Sequence, residues 1–114
     1  MRLQRGTVAL VTLDPTVGHE QRGTRPCILV SDPEVLEHQR FPLVAVVPVT
    51  GSPGAGALYP RLSAGSGGLR KISYVLVDQV RSVDKARVHK VHGILPADEL
   101  QAVDEGLRLF LGLD

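Results

Sequence analysis

The sequence has few of the residues that hold small secreted or metal-bound domains together. Its 114 residues contain one cysteine, Cys27, which excludes an internal disulfide and cysteine-rich zinc modules and suits a reducing compartment. Tryptophan is absent, and two tyrosines and two phenylalanines are too few for an extensive base-stacking platform. The longest mostly apolar run, Leu43–Val49, is far shorter than a membrane span, and Met1–Gly6 lacks the apolar core of a signal peptide. We therefore expect a cytoplasmic protein.

Net charge is also nearly absent, but its distribution along the chain is uneven. The formal charge is +1, with 43 % hydrophobic and 22 % charged residues, which is typical of one globular domain over residues 1–114. Residues 61–92 hold seven lysines and arginines against two aspartates, whereas residues 93–114 hold one arginine against five acids. The basic middle of the chain favours an anionic partner for one face.

The apolar pattern predicts short strands followed by one helix. The connections are too short for crossover helices, so we expect a small, mostly antiparallel, barrel-like sheet with the helix packed on it. The predicted strands are Thr7–Leu13, Pro26–Ser31, Leu43–Thr50, Ala57–Leu62, Ser73–Asp78, Val80–Val83 and Val88–Gly93.

Helical segments are predicted in two places. Pro33–Gln39 allows one or two turns with proline at the first position. After Pro96 the apolar period changes to that of a helix, and Gly106 is a weak point in it. The predicted apolar stripe of this helix consists of Leu100, Val103, Leu107 and Leu111.

Two further details concern the strands and loops. Pro48 lacks an N–H group and therefore predicts an edge or a bulge at that point of its strand. Ser63–Leu69 is rich in glycine and serine and reads as a flexible loop.

The segment Asp14–Thr24 reads as a loop that concentrates polar side chains between two apolar strands. Glu20, Gln21 and Arg22 lie within it, and Arg25 follows, held extended by the proline after it. A loop of this composition fits either a functional site or a solvated turn. The loop alone therefore leaves both interpretations open.

A second group of polar side chains follows the later strands. Thr50 ends a strand before a glycine-rich turn, where its hydroxyl is able to donate to an anion, although the position on its own favours a strand-forming role. Asp78 and Gln79 have the donors and acceptors needed to read base edges, while Arg81 and Lys85 suit phosphates or a charged outer face.

Histidine and cysteine do not suggest a metal site. His89 and His92 lie three apart on a predicted strand and so point to opposite faces. Cys27 sits in an apolar strand and is expected in the core. His19 lies in the polar loop, directly before Glu20. Neither a metal nor a cofactor is expected.

Taken together, the motifs resemble the MazF/PemK (Kid) family of toxin endoribonucleases. The resemblance covers essentially residues 5–111. It rests on Arg5–Val8 (RGTV), Leu13–Thr16 (LDPT), Gly18–Gln21 (GHEQ), Gly23–Pro26 (GTRP), Val46–Thr50 (VVPVT), Leu69–Lys71 (LRK), Ser73–Arg81 (SYVLVDQVR) and Val83–Lys85 (VDK).

This resemblance implies an SH3-like β-barrel with added helices that forms a homodimer. It implies sequence-selective, metal-independent cleavage of single-stranded messenger RNA, giving a 2′,3′-cyclic phosphate and a 5′-hydroxyl, and neutralisation by a cognate antitoxin. By position, Arg25 and Thr50 match the family's catalytic pair and Glu20 its acidic loop residue. The residues at positions implied to contact RNA are Gln21, Gln79, Arg81 and Lys85.

The sequence departs from the family pattern at two positions. Members often have serine where His19 stands and an acid where Ile72 stands, which bears on base preference.

The residue types fit the implied chemistry. Arg25 suits phosphoryl oxygens because its guanidinium is a planar, always-charged fork. Thr50 adds a neutral donor, and Glu20 is the best local base. The general acid stays open between Arg25, His19 and water.

Two other functions remain compatible with the sequence. The first is a toxin of the same fold that binds and poisons a protein target such as DNA gyrase. The second is a non-catalytic RNA-binding barrel, for which the basic segment alone would suffice.

Overall fold

The computed structural model describes residues 3–114, which form one antiparallel sheet with two α-helices. The elements are β1 (Thr7–Thr12), β2 (Thr24–Leu29), α1 (Pro33–Glu37), β3 (Leu43–Thr50), β4 (Arg61–Leu62), β5 (Ser73–Val75), β6 (Arg81–Asp84), β7 (Val88–Ile94) and α2 (Ala97–Leu111).

The sheet curls into a half-barrel. Its strand order is β4-β5-β3-β2-β1-β7, and β6 pairs with the first half of β3. This confirms the expected antiparallel, barrel-like sheet with a C-terminal helix. The 3-10 turn Ser66–Gly68 lies between β4 and β7, the two end strands of that row. It packs closely against β7, because a Cβ on Gly93 would lie only 2.8 Å from the carbonyl carbon of Gly67. The predicted flexible loop is therefore a packed turn.

The core has two parts because the central strands are buried on both faces. On one face, α2 covers Val8, Ile28, Val47 and their neighbours. The other face is packed around Cys27 and includes Leu36 of α1. Burial on both faces explains why β1 and β3 read as nearly continuous apolar runs. Burial also raises the pKa of the Cys27 thiol to about 12, which agrees with its expected place in the core.

Helix α2 packs on the sheet through the predicted stripe, except at its last member. Val103 and Leu107 are buried, whereas Leu111 is 53 % exposed because the last turn extends beyond the core. Gly106 has a packing role: a Cβ there would lie 2.7 Å from the carbonyl oxygen of Ala57 and 3.0 Å from Val77. The helix therefore gains close contact where the sequence suggested only weakness.

Several predicted strand bounds were wrong, each for a local reason. The second strand starts two residues earlier than predicted, at Thr24, because Thr24 pairs with Thr12 of β1. The predicted strand Ala57–Leu62 shrinks to β4, because Pro60 has no N–H group for the ladder. The predicted strand Ser73–Asp78 ends at Val75, and the chain then forms the 3-10 turn Val77–Gln79.

Pro48 lies in a central strand and not at an edge, which was one of the two alternatives predicted for it. Its carbonyl accepts from the Leu76 N–H at 2.9 Å, so its nitrogen faces the same side of the strand. On that side β3 changes partner, from β6 at Val46 to β5 at Val49. The missing donor thus falls between two ladders, which is why a central strand accommodates a proline.

Candidate functional site

The β1–β2 loop, residues 13–23, is closed at its neck by backbone and side-chain bonds. Leu13 N–H donates to the Gly23 carbonyl at 2.8 Å, and Asp14 Oδ2 accepts from Gly23 N–H at 3.1 Å. Gly23 has a φ of 73°, a conformation that favours glycine. In addition, the Arg81 guanidinium donates to the Leu13 carbonyl at 2.9 Å, which ties the neck of the loop to β6. The loop is therefore held in one position relative to the sheet.

The loop leans over the turn Val77–Gln79. Gln21 N–H donates to Gln79 Oε1 at 2.7 Å, which joins two of the residues predicted to contact RNA. Glu20 is exposed, and its Oε1 accepts from Val17 N–H at 2.5 Å, so the loop's own backbone orients the carboxylate. A catalytic carboxylate on a loop must be held in one orientation, and this hydrogen bond to the backbone does so.

Two adjoining cavities form a groove beneath this loop. The first, of about 320 Å³, is lined by His19, Glu20, Asp78, Arg81 and their neighbours. The second, of about 300 Å³, lies at the end of β3 and is lined by Thr50, Ser52, Tyr59, Tyr74 and others. Gln21 and Gln79 line both cavities, so the two adjoin at these residues, and we refer to them together as the groove.

Arg25 and Thr50 lie near the ends of neighbouring strands, β2 and β3. The β2–β3 register pairs Cys27 with Pro48, and continuing it by two residues brings Arg25 opposite Thr50 with both side chains on one face. Arg25 is exposed, and its Nε donates to the Arg22 carbonyl at 2.9 Å. Its two terminal nitrogens make no hydrogen bond within residues 3–114. Arg25 itself lines neither cavity.

The Thr50 hydroxyl keeps its proton free to donate. Its oxygen accepts from Ser52 N–H at 3.1 Å, which orients the side chain at the start of the glycine-rich turn. An oriented hydroxyl beside a guanidinium is able to bind two oxygens of one phosphate.

Lys85 lies apart from the other predicted residues. Its ammonium group donates to the carbonyls of Val35 and His38 at the end of α1, the latter at 3.0 Å. It lines neither cavity of the groove. Five of the seven predicted site residues therefore line the groove. Arg25 lies on the strand next to that of Thr50, and Lys85 contacts α1 instead.

Tyr59 and Tyr74 also belong to the groove, although the sequence did not mark them as site residues. Asp78, a candidate for reading base edges, lies there as well. The Tyr59 hydroxyl donates to Asp78 Oδ2 at 2.5 Å, and this hydrogen bond raises the pKa of Tyr59, so the phenol stays protonated as a donor. Asp78 Oδ1 is buried and has no partner among residues 3–114. Tyr74 pairs with Thr50 across β5 and β3. No sequence signal marks that pairing, because it depends on the sheet register.

The described part of the chain shows neither a cluster of metal ligands nor a helix able to span a membrane. Residues 3–114 contain no group of three or more histidine, cysteine, aspartate or glutamate side chains arranged to hold a metal ion. His89 instead bonds Thr12 Oγ1 at 2.6 Å. Over the same residues, neither helix has the length and apolar character needed to cross a bilayer.

The curled antiparallel half-barrel with a helix across one face has the fold of MazF-like toxins, as comparison with solved structures shows. The MazF protein of Deinococcus radiodurans superposes with a TM-score of 0.83 and 28 % identity, covering 99 % of both chains. A MazE–MazF complex from the same organism matches with a TM-score of 0.76 and 28 % identity, covering 100 % of this chain and 99 % of that one.

Comparison of sequences gives the family itself. The model of the PemK-like, MazF-like toxins of type II toxin–antitoxin systems matches residues 4–111, and the chain belongs to this family. Endoribonuclease PemK of Escherichia coli is 42 % identical over 91 residues, which are 75 % of this chain and 64 % of that protein. The chain therefore spans less than two thirds of the length of that relative.

Proposed function

We propose that the protein is a metal-independent endoribonuclease toxin that cleaves single-stranded messenger RNA. The 2′-oxygen of the RNA attacks the adjacent phosphorus, the bond to the 5′-oxygen breaks, and a 2′,3′-cyclic phosphate and a 5′-hydroxyl result. The observation that carries the proposal is the β2–β3 register, which, extended by two residues from Cys27 and Pro48, aligns Arg25 with Thr50 near a groove that presents Glu20. Family membership and the similarity to Endoribonuclease PemK support it.

Arg25 would bind and neutralise the phosphoryl oxygens. Its terminal nitrogens are unused within residues 3–114, while its Nε is anchored to the Arg22 carbonyl at 2.9 Å. An anchored guanidinium with a free fork is preorganised for bidentate phosphate binding. Thr50 would donate a further hydrogen bond to the same group.

Glu20 would take the proton from the 2′-hydroxyl. Its carboxylate is exposed at the groove and is oriented by Val17 N–H. The proton for the leaving 5′-oxygen then comes from Arg25, His19 or water, and His19 lines the same cavity as Glu20. Gln21, Gln79 and Arg81 would contact the RNA along this groove, and the RNA contact of Lys85 stays a prediction.

The protein partners proposed are an antitoxin and a second copy of the chain. A MazF relative has been crystallised together with MazE, which supports an antitoxin partner. The last turn of α2 and the residues after it expose Leu109, Phe110, Leu111 and Leu113, which are 45–62 % accessible. An apolar patch of this kind is compatible with a dimer, and sedimentation equilibrium at micromolar concentration tests it.

The proposed activity is tested by cleavage of a long single-stranded RNA in excess EDTA. Wild type is compared with Arg25→Ala and with Arg70→Ala, which removes another exposed arginine away from the groove. We expect discrete fragments ending in cyclic phosphate from wild type and Arg70→Ala, and none from Arg25→Ala. Intact RNA with folded wild type would overturn the proposal and favour a toxin that binds a protein target such as DNA gyrase.

A further inference from the structure

The two tyrosines of the chain line the same cavity. Tyr59 and Tyr74 both face the second cavity of the groove, of about 300 Å³, together with Thr50 and with Gln21 and Gln79. Aromatic residues are otherwise scarce, with only two phenylalanines in the 114 residues. Both rings thus lie beside a residue to which we assign a phosphate contact.

The sheet register places one of these tyrosines in a row with that residue. Tyr74 of β5 pairs with Thr50 of β3 on one side and with Arg61 of β4 on the other. Directly paired residues project to the same face, so the three side chains form a row across the sheet. Continuing the β2–β3 register adds Arg25 at the far end of this row. Two cations therefore flank a hydroxyl and an aromatic ring.

The two rings differ in how they are held. The Tyr59 hydroxyl donates to Asp78 Oδ2 at 2.5 Å, and its Cβ lies so near Gly54 that a Cβ there would be only 2.9 Å away. Tyr59 is thus fixed as a wall of the cavity. Tyr74 is half-buried, and its hydroxyl has no hydrogen-bond partner among residues 3–114.

We propose that this cavity is a nucleobase subsite, in which the unpaired base of a nucleotide adjoining the scissile phosphate stacks on Tyr74. The proposal rests on the nuclease function proposed above and adds the position of one base to it. Thr50 holds the phosphate, and Tyr74 is its direct cross-strand neighbour, so a base attached next to that phosphate falls beside the ring. The side-chain amides of Gln21 and Gln79, which line the same cavity, supply donors and acceptors for the base edge.

The test couples a change in the RNA to a change in the protein. A set of short single-stranded RNAs carries one abasic nucleotide at each position around the cleavage site, with a 2′-deoxy nucleotide blocking cleavage. We measure binding to wild type, Tyr74→Leu and Tyr74→Phe. Wild type should lose about tenfold in affinity for the RNA that is abasic at one position next to the scissile phosphate, since stacking on an aromatic ring contributes that much per base.

The variants distinguish stacking from a general effect on the fold. Tyr74→Leu should bind the intact RNA about tenfold more weakly and show no further loss with the abasic RNA, because the two changes remove the same contact. Tyr74→Phe should behave as wild type, since it keeps the ring. Phe41→Leu makes the same kind of change outside the groove and should retain the full abasic penalty. Thermal unfolding confirms that each variant is folded.

The outcomes separate this subsite from the proposed function. If wild type cleaves RNA but Tyr74→Leu keeps the full abasic penalty, the subsite is wrong and the nuclease stands. If wild type neither cleaves nor binds RNA, both fall. Tyr59→Phe gives a second measurement: loss of the bond to Asp78 should weaken binding of intact RNA and reduce the abasic penalty, and unchanged values for both would contradict the assigned role of Tyr59 as a fixed wall.

Discussion

The groove and the helix side of the molecule use the same residue types in opposite ways. At the groove, Arg25 is anchored through one nitrogen and leaves its terminal nitrogens without a partner within residues 3–114. On the helix side, Arg5 uses its whole guanidinium, with both terminal nitrogens on Asp104 at 2.6 and 2.9 Å and Nε on the Val30 carbonyl at 3.0 Å. The ammonium group of Lys85 likewise donates its hydrogen bonds to carbonyls at the end of α1.

This difference teaches that charge alone does not reveal a site. A cation whose donors are all satisfied inside the fold contributes to stability, whereas one that is anchored and only partly satisfied has donors available for a ligand. The comparison therefore predicts two kinds of response: changes at the groove should alter activity, and changes on the helix side should alter the free energy of unfolding.

Arg25→Lys should produce the largest effect. Lysine is a point charge without the bidentate fork, so cleavage of single-stranded RNA should fall about 100-fold or more. Because Arg25 is exposed, the free energy of unfolding should change by less than about 0.5 kcal/mol. Initial cleavage rates and urea unfolding test both parts, and near-normal turnover would remove Arg25 from its assigned role.

Cys27 shows where the groove ends and the core begins, since it lies two residues after Arg25 on the same face of β2. Burial raises the pKa of its thiol to about 12 from 9.0, and the charge of Arg81 opposes this only in part. The folded state thus holds the thiol proton more tightly than the unfolded state. The contribution of this thiol to the free energy of unfolding is fully present below about pH 9 and is lost as pH rises towards 12.

The measurement is the free energy of unfolding of wild type and of Cys27→Ala across this range. Between pH 9 and pH 11, wild type should lose about 2 kcal/mol relative to the variant. Between pH 7 and pH 8 the difference should be constant. A flat difference throughout would show that the thiol is accessible to water.

Thr50→Val should lower cleavage about tenfold, because valine keeps the shape and removes the donor to the phosphate. Thr50→Ser retains the hydroxyl and should stay close to wild type. Single-turnover rates with saturating enzyme measure the effect on the chemical step. Equal activity of the valine and serine variants would mean that Thr50 acts only through the strand.

Arg5→Met should have the smallest effect, and it should change the free energy of unfolding rather than the cleavage activity. It removes a two-point contact with Asp104 between side chains that are 29 % and 27 % exposed, so unfolding should become easier by about 1 kcal/mol. RNA cleavage should be unchanged at a temperature where the variant is folded. Arg70→Met, an exposed arginine without such a contact, is the matched control for stability. A loss of cleavage in folded Arg5→Met would break the division between the two sides.

Much of the fold followed from local patterns. The strands at Thr7 and Leu43 and the helix after Pro96 were predicted within a residue or two, because apolar periodicity and proline act locally. The predictions that failed depended on distant partners. Pro48 is central because the strand changes neighbours there, and Gly106 is useful because Ala57 approaches it.

The site divides in the same way. The sequence alone shows the polar residues of the β1–β2 loop and the proline that follows Arg25. Its motifs also indicate the family. That Lys85 caps α1, and that Tyr59 and Tyr74 share a cavity with Thr50, required coordinates.

The sequence by itself determined the element types, the family and the residue types available for phosphate chemistry, because these depend on composition, spacing and local conformation. Only the tertiary structure decided which cations are free and which are satisfied, and which aromatic rings stand beside the proposed phosphate site. The physical reason is that hydrogen-bond satisfaction and cross-strand neighbours depend on sheet register, which brings together residues that are far apart in the chain.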